Sequence, residues 1–348
     1  MCDKKYLMSN YIPDEDRYDG RMPYRKCGRW GLKLPSITLG FWHNFGGNEV
    51  TSLQKKIVYT AFDRGITHFD LANNYGPPYG AAEQVAGSIM KDLPRHEIVV
   101  SSKAGYDMWP GPYGEWGSRK YLINSLDQSL NRLDMDYVDV FYSHRFDPET
   151  PLEETLSALN SAVVQGKALY SGISSYNTEQ TIKASKICKE NGWSPIIIHQ
   201  PNYSMFNRWI EKSLLDSVEN LGMGVIAFCP LYQGLLTDKY LNNVPSSSRA
   251  AKTSGLIRES ELSESVLNCI RNLNKLAIDR GQSLAQMALS WVLRDKRVTS
   301  ALIGASSPEQ VIENSKCVEN CVFSVDEENA INDLLSQITL PESLWAGE

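Results

Sequence analysis

Residues 52–76, SLQKKIVYTAFDRGITHFDLANNYG, hold one complete unit of the fold. Over 52–65 the apolar Leu53, Ile57, Ala61 and Phe62 recur at helical spacing, and Gly65 can end the helix. ITHFD (66–70) is then a short strand that Asp70 closes, and Tyr75 follows in a loop of Asn and Gly. The same unit repeats along the chain. Strands are expected at SITLGF (36–41), ITHFD (66–70), EIVVSSK (97–103), YVDVFYSH (137–144), LYSGIS (169–174), IIIHQ (196–200), GVIAFC (224–229) and TSALIG (299–304), with amphipathic helical stretches between them. Repeated βα units imply a parallel sheet, and eight strands close one into a barrel. The expected fold class is therefore α/β, a (β/α)8 TIM barrel.

Outside that repeat, MPYRKCGRWGLKLP (22–35) reads as two short strands joined at Gly28–Gly31, a hairpin too small to stand alone and expected to cap the barrel's N-terminal end. Thr178 is the expected N-cap of EQTIKASKICKENG, with Gly192 closing it, and Pro308 stands where a helix's first turn tolerates proline. The long interruption at 230–282, after the seventh strand, includes Ser-rich VPSSSRAAKTSG; loops of that length are functional or disordered. No composition break divides the chain, so residues 1–348 are expected to form one domain with a core of about 23–338 and tails at 1–22 and 339–348.

A formal charge of −6 gives no general attraction for nucleic acid or anionic lipid. No apolar stretch approaches the ~20 residues needed to span a bilayer, and the N-terminus has no signal-peptide core, so a cytoplasmic protein is expected. Seven cysteines, at 2, 27, 188, 229, 269, 317 and 321, lack the paired spacing of a zinc site or disulfide framework, and reduced thiols are expected. Cys317 and Cys321 fall on one face of an expected helix with no histidine nearby, so no metal site is expected.

In such a barrel the reactive groups stand at the C-terminal ends of the strands. Asp70 ends the second strand, Tyr75 lies in the loop after it, Lys103 ends the third and His144 the fourth. Singly, each has a plain structural explanation as a turn former or a solvated strand end. Together they suit protonation of a carbonyl oxygen: Lys103 can favour the Tyr75 phenolate, Asp70 can hold Lys103 charged and oriented, and His144 can hydrogen-bond a substrate oxygen.

The segments DLANNYG, SSKAG, FYSHR, GISSY, HQPNYS, CPLYQGLLTDKY and IGASSPEQVIEN follow in order, one per strand end, and resemble the aldo-keto reductase superfamily over about residues 23–320. Runs such as LGFWHNFGG, ANNYGPPYG and KAGYDMWPGPYG are most similar to the branch that holds L-glyceraldehyde 3-phosphate reductases, which is itself related to voltage-gated potassium-channel β-subunits. The resemblance implies Asp70, Tyr75, Lys103 and His144 as a catalytic tetrad with Tyr75 the proton donor. It also implies NADPH/NADP+ bound without a Rossmann domain, under a long cofactor-covering loop after strand 7. Mapped one position at a time, Ser174 and Gln200 would hold the nicotinamide carboxamide, with Tyr203 supporting the ring face, and Trp42, Asp70 and Phe228 would also bind the cofactor. Pro230, Leu231, Gln233 and Gly234 would line the pyrophosphate, with Lys239 and Arg249 near phosphate groups. Gly304, Ser306 and Gln310 would meet the adenosine phosphate, and Glu313 and Asn314 the adenine. A helix N-terminus at 306–308 suits an anion, while the plain alternative is that Ser306 or Ser307 only caps the helix. Two departures weaken the pattern: Ser175 stands where many relatives have Asn, and Asp238 adds a carboxylate beside Lys239.

For the substrate, Trp42, Tyr75, His144 and Trp109 are expected contacts, within an aromatic rim that also includes Phe41, Phe45, Tyr106, Met108 and Tyr113. Arg145 is expected either to pair with a substrate phosphate or to bridge Asp147 or Glu149. Small aldehydes, L-glyceraldehyde 3-phosphate or methylglyoxal, are the expected substrates, with no nucleic-acid or membrane partner. A different reading, also implied by the resemblance, is an NADPH-binding redox-sensing partner protein. The resemblance further implies a homo-oligomer, a tetramer or octamer, for which RKYLINSLDQSLNRL could offer a face unless its apolar stripe is buried in its own barrel.

Overall fold

The computed structural model describes residues 11–47, 49–241 and 263–338. Eight parallel strands close into a barrel in the order β10-β3-β4-β5-β6-β7-β8-β9. They are β3 (Ile37–Gly40), β4 (His68–Asp70), β5 (Val99–Ala104), β6 (Val138–Ser143), β7 (Ala168–Ser174), β8 (Ile196–Gln200), β9 (Gly224–Ala227) and β10 (Ser300–Ile303). Every expected strand is present, generally shorter by a residue or two at its ends. The covering helices include α1 (Ser52–Asp63), α2 (Ala81–Met90), α3 (Arg119–Leu133), α4 (Leu152–Val164), α5 (Thr178–Glu190), α6 (Leu214–Leu221), α7 (Glu264–Asp279), α8 (Leu284–Leu293), α9 (Pro308–Ser315) and α10 (Val325–Ser336).

Local chemistry sets the boundaries. Thr51 closes a capping box with Gln54 at the start of α1. Asn177, not Thr178, caps α5, because its side chain and that of Gln180 satisfy each other's backbone N–H groups. Pro308 opens α9 behind the Ser307 cap, as expected. Leu53, expected on the inner stripe of α1, is half exposed, while Ile57, Ala61 and Phe62 are buried. In α3 the apolar stripe, Tyr121, Leu122, Leu126, Leu130 and Leu133, is buried in its own barrel. Cys317 lies in a 3-10 turn that ends at Glu319, so Cys321 falls beyond it rather than on a shared helix. Among the described residues no group of side chains could hold a metal ion, and no helix is long and apolar enough to cross a membrane.

β1 (Tyr24–Lys26) and β2 (Lys33–Pro35) form the expected antiparallel hairpin. Cys27 and Leu34 pack with Val140, Tyr142, Ile197, Ile198 and Ile226, so the hairpin closes the barrel floor. At Gly28, φ is +55° and any Cβ would lie 2.3 Å from the Gly222 carbonyl oxygen, so only glycine permits this approach. Before the hairpin, Tyr11 stacks on Tyr59 with ring centroids 3.9 Å apart and donates to Asp63 (2.6 Å), and Arg17 pairs with Glu97 (2.8 Å).

The barrel interior is divided. Toward β10, β3, β4 and β5 its side chains are polar: Ser300, Thr38, His68, Asp70, Ser101 and Lys103, all essentially buried. On the other side Val140, Tyr142, Ile198 and Ile226 form the apolar cluster on the hairpin. Period-two alternation along each strand sends Ile37, Leu39 and Phe69 outward to the helices instead.

Candidate active site

Asp70 and Lys103 meet because β4 and β5 are paired in register, with Asp70 opposite Ser101 and both Asp70 and Lys103 on the inner face. Lys103 Nζ donates to Asp70 Oδ2 (2.6 Å), to the Leu71 carbonyl oxygen (2.6 Å) and, more loosely, to the Tyr75 hydroxyl (3.4 Å). The ammonium has three protons and three acceptors, which suits a charge with no solvent contact. Asp70 Oδ1 accepts from Ser101 Oγ (2.7 Å) and Gln200 Nε2 (3.1 Å). Neither Ser101 nor the Leu71 carbonyl was signalled by the sequence pattern, although the register of β5 would have placed Ser101 beside Lys103 on the inner face.

Burial pushes the Lys103 ammonium below its usual range, while the Asp70 charge works against that shift. The Tyr75 phenol is pushed well above its usual value by burial, reinforced by Asp70. In the resting site desolvation thus outweighs the help that Lys103, 3.4 Å away, can give the phenolate. The reason is electrostatic: Asp70 already neutralises Lys103 at 2.6 Å, so desolvation dominates at the phenol. The hydroxyl therefore holds its proton, as a donor must.

His144, at the end of the strand after Lys103, presents its ring to Tyr75 (centroids 5.9 Å apart) and edge-on to Tyr106 (4.7 Å). Burial, with Lys103 and Arg145 nearby, holds the imidazole well below its ordinary value, so it is neutral near pH 7 and donates from one nitrogen only. Trp42 lies nearly parallel to Tyr75, with centroids 6.1 Å apart, and stacks on His43. Trp42, Tyr75, His144 and Tyr106 thus form an aromatic enclosure around one hydroxyl, an arrangement that can receive a small carbonyl and exclude water. Phe41 and Phe45 do not join it: both are fully buried and stack on each other at 4.0 Å, a local core beneath the rim. Trp109 is partly buried against Tyr121 (5.1 Å), and Tyr113 is exposed.

Arg145 pairs with Glu115 (2.8 Å) and donates to the Gly105 carbonyl oxygen (2.9 Å), not to Asp147 or Glu149. Asp147 is occupied in capping the Glu149–Thr150 turn and Gly117. The guanidinium is sandwiched 3.5 Å from the Trp116 ring centroid and 4.4 Å from that of Tyr106. Glu115 and Trp116 thus complete the surroundings of a cation the sequence had left open.

The aldo/keto reductase family matches residues 36–336. The chain belongs to the aldo/keto reductase family. It is 52% identical over 343 residues to an L-glyceraldehyde 3-phosphate reductase from Escherichia coli O157:H7, covering 96% of this chain and 98% of that one. The same-named protein of strain K12 is 53% identical over the same coverage. A probable voltage-gated potassium channel subunit beta from Oryza sativa subsp. japonica is 35% identical over 305 residues, 86% of this chain and 92% of that one. The resemblance seen in the strand-end segments is therefore shown, and the chain is an oxidoreductase by family.

Aldo/keto reductases draw their hydride from NAD(P)H, and the barrel mouth beside Lys103 offers groups that fit such a dinucleotide. Ser174 Oγ donates to the Gln200 carbonyl oxygen (2.8 Å), leaving its lone pairs available to a carboxamide. The loop after β9 turns through left-handed backbone at Cys229, Tyr232, Gln233 and Gly234, the type of turn that directs successive N–H groups to one concave side. A methyl group added at Gly234 or at Gly304 would meet nothing within 4 Å, so both backbones border open space. Pro230 is buried, Phe228, Leu231 and Gln233 are partly exposed, and Asp238 and Lys239 are both exposed on a short 3-10 turn. At α9, Gln310 Oε1 accepts from the Ser306 N–H (2.9 Å) and hydroxyl (3.1 Å), and Ser307 caps the helix. Glu313 accepts from Gln286 (2.8 Å) and Asn314 is buried. Tyr203 has no face for a nicotinamide: it is fully buried, and its hydroxyl donates to Glu211 (2.6 Å) and accepts from Arg294 (3.1 Å). Arg249 lies outside the described residues.

Proposed function

We propose that this aldo/keto reductase reduces small aldehydes to alcohols with NADPH, with L-glyceraldehyde 3-phosphate as the leading substrate and methylglyoxal the next. The observation that carries the reading is the buried Asp70–Lys103 pair beneath a protonated Tyr75 at the aromatic opening. A binding module has no use for so costly a buried charge under a phenol, whereas a proton donor does. A reduced nicotinamide dinucleotide, when bound, supplies the hydride. Tyr75 gives its proton to the carbonyl oxygen, and Lys103 stabilises the phenolate left behind. Neutral His144 donates a hydrogen bond to the same oxygen and so orients the carbonyl. Trp42 and Tyr106 keep bulk water from the reacting groups. Ser174 and Gln200 would hold the carboxamide, and Gly234, Gly304 and Ser306 would border the phosphates. The substrate assignment is supported by the names of the bacterial relatives and by the Arg145 guanidinium, which a substrate phosphate would engage in competition with Glu115.

The test is a steady-state assay of the purified protein with NADPH and with NADH across D- and L-glyceraldehyde 3-phosphate, methylglyoxal and unphosphorylated glyceraldehyde. Turnover is expected, with the highest kcat/KM for the L-phosphate. Tight nucleotide binding without turnover of any aldehyde would reject the enzyme reading in favour of a nucleotide-sensing partner.

A further inference from the structure

The polar half of the barrel interior is a single column of hydrogen bonds that begins at the far strand and ends at the reactive tyrosine. Ser300 Oγ lies 2.8 Å from Thr38 Oγ1, which lies 2.9 Å from His68 Nδ1. His68 Nε2 lies 3.0 Å from Ser101 Oγ, which donates to Asp70 Oδ1 at 2.7 Å. Lys103 then joins Asp70 to Tyr75. Every member from Ser300 to Lys103 is buried to within a per cent of completely, so water cannot substitute for any link.

Each hydroxyl has one proton, and this fixes the direction of the whole column. Asp70, paired with the ammonium, only accepts, so the Ser101 proton is committed to it. Ser101 must then accept from His68, which requires the proton on Nε2. Nδ1 is left as an acceptor, so Thr38 donates to it, and Ser300 donates to Thr38. Four successive donors point toward the Asp70 carboxylate.

We propose that this column is a one-way donor chain that fixes His68 as the neutral Nε2–H tautomer and orients Asp70 under Lys103, making Ser101 and His68 positioning residues for the proton transfer at Tyr75. The inference rests on the reductase reading for its kinetic consequence but not for the tautomer. The charged groups bearing on the His68 ring are Asp70 on its own strand and Lys103 on β5; β3 and β10 face it with the hydroxyls of Thr38 and Ser300. Burial holds the imidazole down at about 4, in keeping with a neutral ring that serves as relay of orientation rather than as acid or base. The column makes no new bond and consumes no proton. Its effect is the aligned field of four dipoles on a carboxylate in a low-dielectric interior, where such alignment is strongest.

Two measurements test it. Nitrogen-15 histidine labelling of the whole protein reads the His68 tautomer directly. A single Nε2–H form from pH 5 to 8 is expected, changing toward Nδ1–H in Ser101→Ala, where Nε2–H loses its acceptor and Thr38 can accept instead. A wild-type ring that is Nδ1–H or a mixture would overturn the chain. Kinetically, Ser101→Ala should lower kcat about tenfold or more, the loss of one hydrogen bond to a charged group, with KM for nucleotide and aldehyde nearly unchanged. Ser101→Thr, which keeps the hydroxyl, should restore kcat. Wild-type kcat in folded Ser101→Ala would overturn the positioning role. If the wild-type protein turned over no aldehyde, the reductase reading would fail separately, and the tautomer alone would decide whether the donor chain exists.

Discussion

Replacing Asp70 with Asn exchanges one carboxylate oxygen for an amide NH2 and removes the counter-charge of a lysine that has no exposed surface. At the 2.6 Å separation and an effective dielectric near 20, the pair attracts by about 6 kcal/mol. Desolvation offsets part of that, and stranding one partner of a buried pair costs about 3–5 kcal/mol. Lys103 already binds its proton less tightly in the folded chain than in an unfolded one, and Asp70→Asn lowers its affinity further. Between the folded and unfolded pKa values the unfolded chain binds more protons, so stability rises with pH across that interval. In the variant the interval widens toward neutral pH. The deficit against wild type should therefore be larger at pH 6 than at pH 10, as read by urea unfolding with tryptophan fluorescence. Reductase kcat should fall about 10²- to 10⁴-fold, because Tyr75 loses the cation that stabilises its phenolate. Unfolding midpoints equal to wild type at every pH, together with kcat within a few-fold, would refute the account of the pair.

Tyr75→Phe should remove aldehyde reduction, by about 10³-fold or more, while the nucleotide still binds, as followed by quenching of tryptophan fluorescence. Arg145→Met should raise KM for L-glyceraldehyde 3-phosphate about 10- to 100-fold through loss of charge-assisted bonds and leave methylglyoxal nearly unaffected; equal losses on both would remove Arg145 as a phosphate ligand. Ser175 has φ of +57°, left-handed backbone that Asn tolerates better than Ser, so Ser175→Asn should raise Tm slightly and tighten nucleotide binding. A lower Tm would show the side-chain space to be closed. His68, held down at about 4 against an ordinary 6.5, remains neutral in the fold while the unfolded chain takes up a proton. Stability should thus fall as pH drops through this window, by about 2 kcal/mol at pH 5 from His68 alone, and urea midpoints at pH 7 and pH 5 measure it.

The barrel was legible because its signals are local and repeated: β-branched runs, helical stripes and glycine stops recur unit by unit. Asp70, Tyr75, Lys103 and His144 could be placed at one end because strand order fixes where adjacent strands finish. Misreadings arose where packing decides. Phe41 and Phe45 looked like rim aromatics, yet they stack beneath the rim, since an aromatic after a strand can turn in or out. Tyr203 was assigned to the nicotinamide from its position alone, while Glu211 and Arg294 draw its hydroxyl away. Arg145 has carboxylates within four residues, at Asp147 and Glu149, yet its partner stands thirty residues upstream, at Glu115. The Ser300–Thr38–His68–Ser101 column was invisible for a related reason: serine and threonine in strands are commonplace, and only barrel closure brings β10 beside β3.

The hairpin of β1 and β2 gives the barrel a floor, and a vessel with one floor has one opening. The hydrogen-bonded column that runs from Lys103 back to Ser300, buried along its whole length, is then a blind shaft rather than a drain. A chain begun after residue 35 would keep all eight staves and lose the stopper. Water entering from below would then reach the apolar cluster of Val140, Tyr142, Ile198 and Ile226, directly under the reacting groups. Residues that touch neither substrate nor nucleotide would in this way decide how dry the chemistry runs.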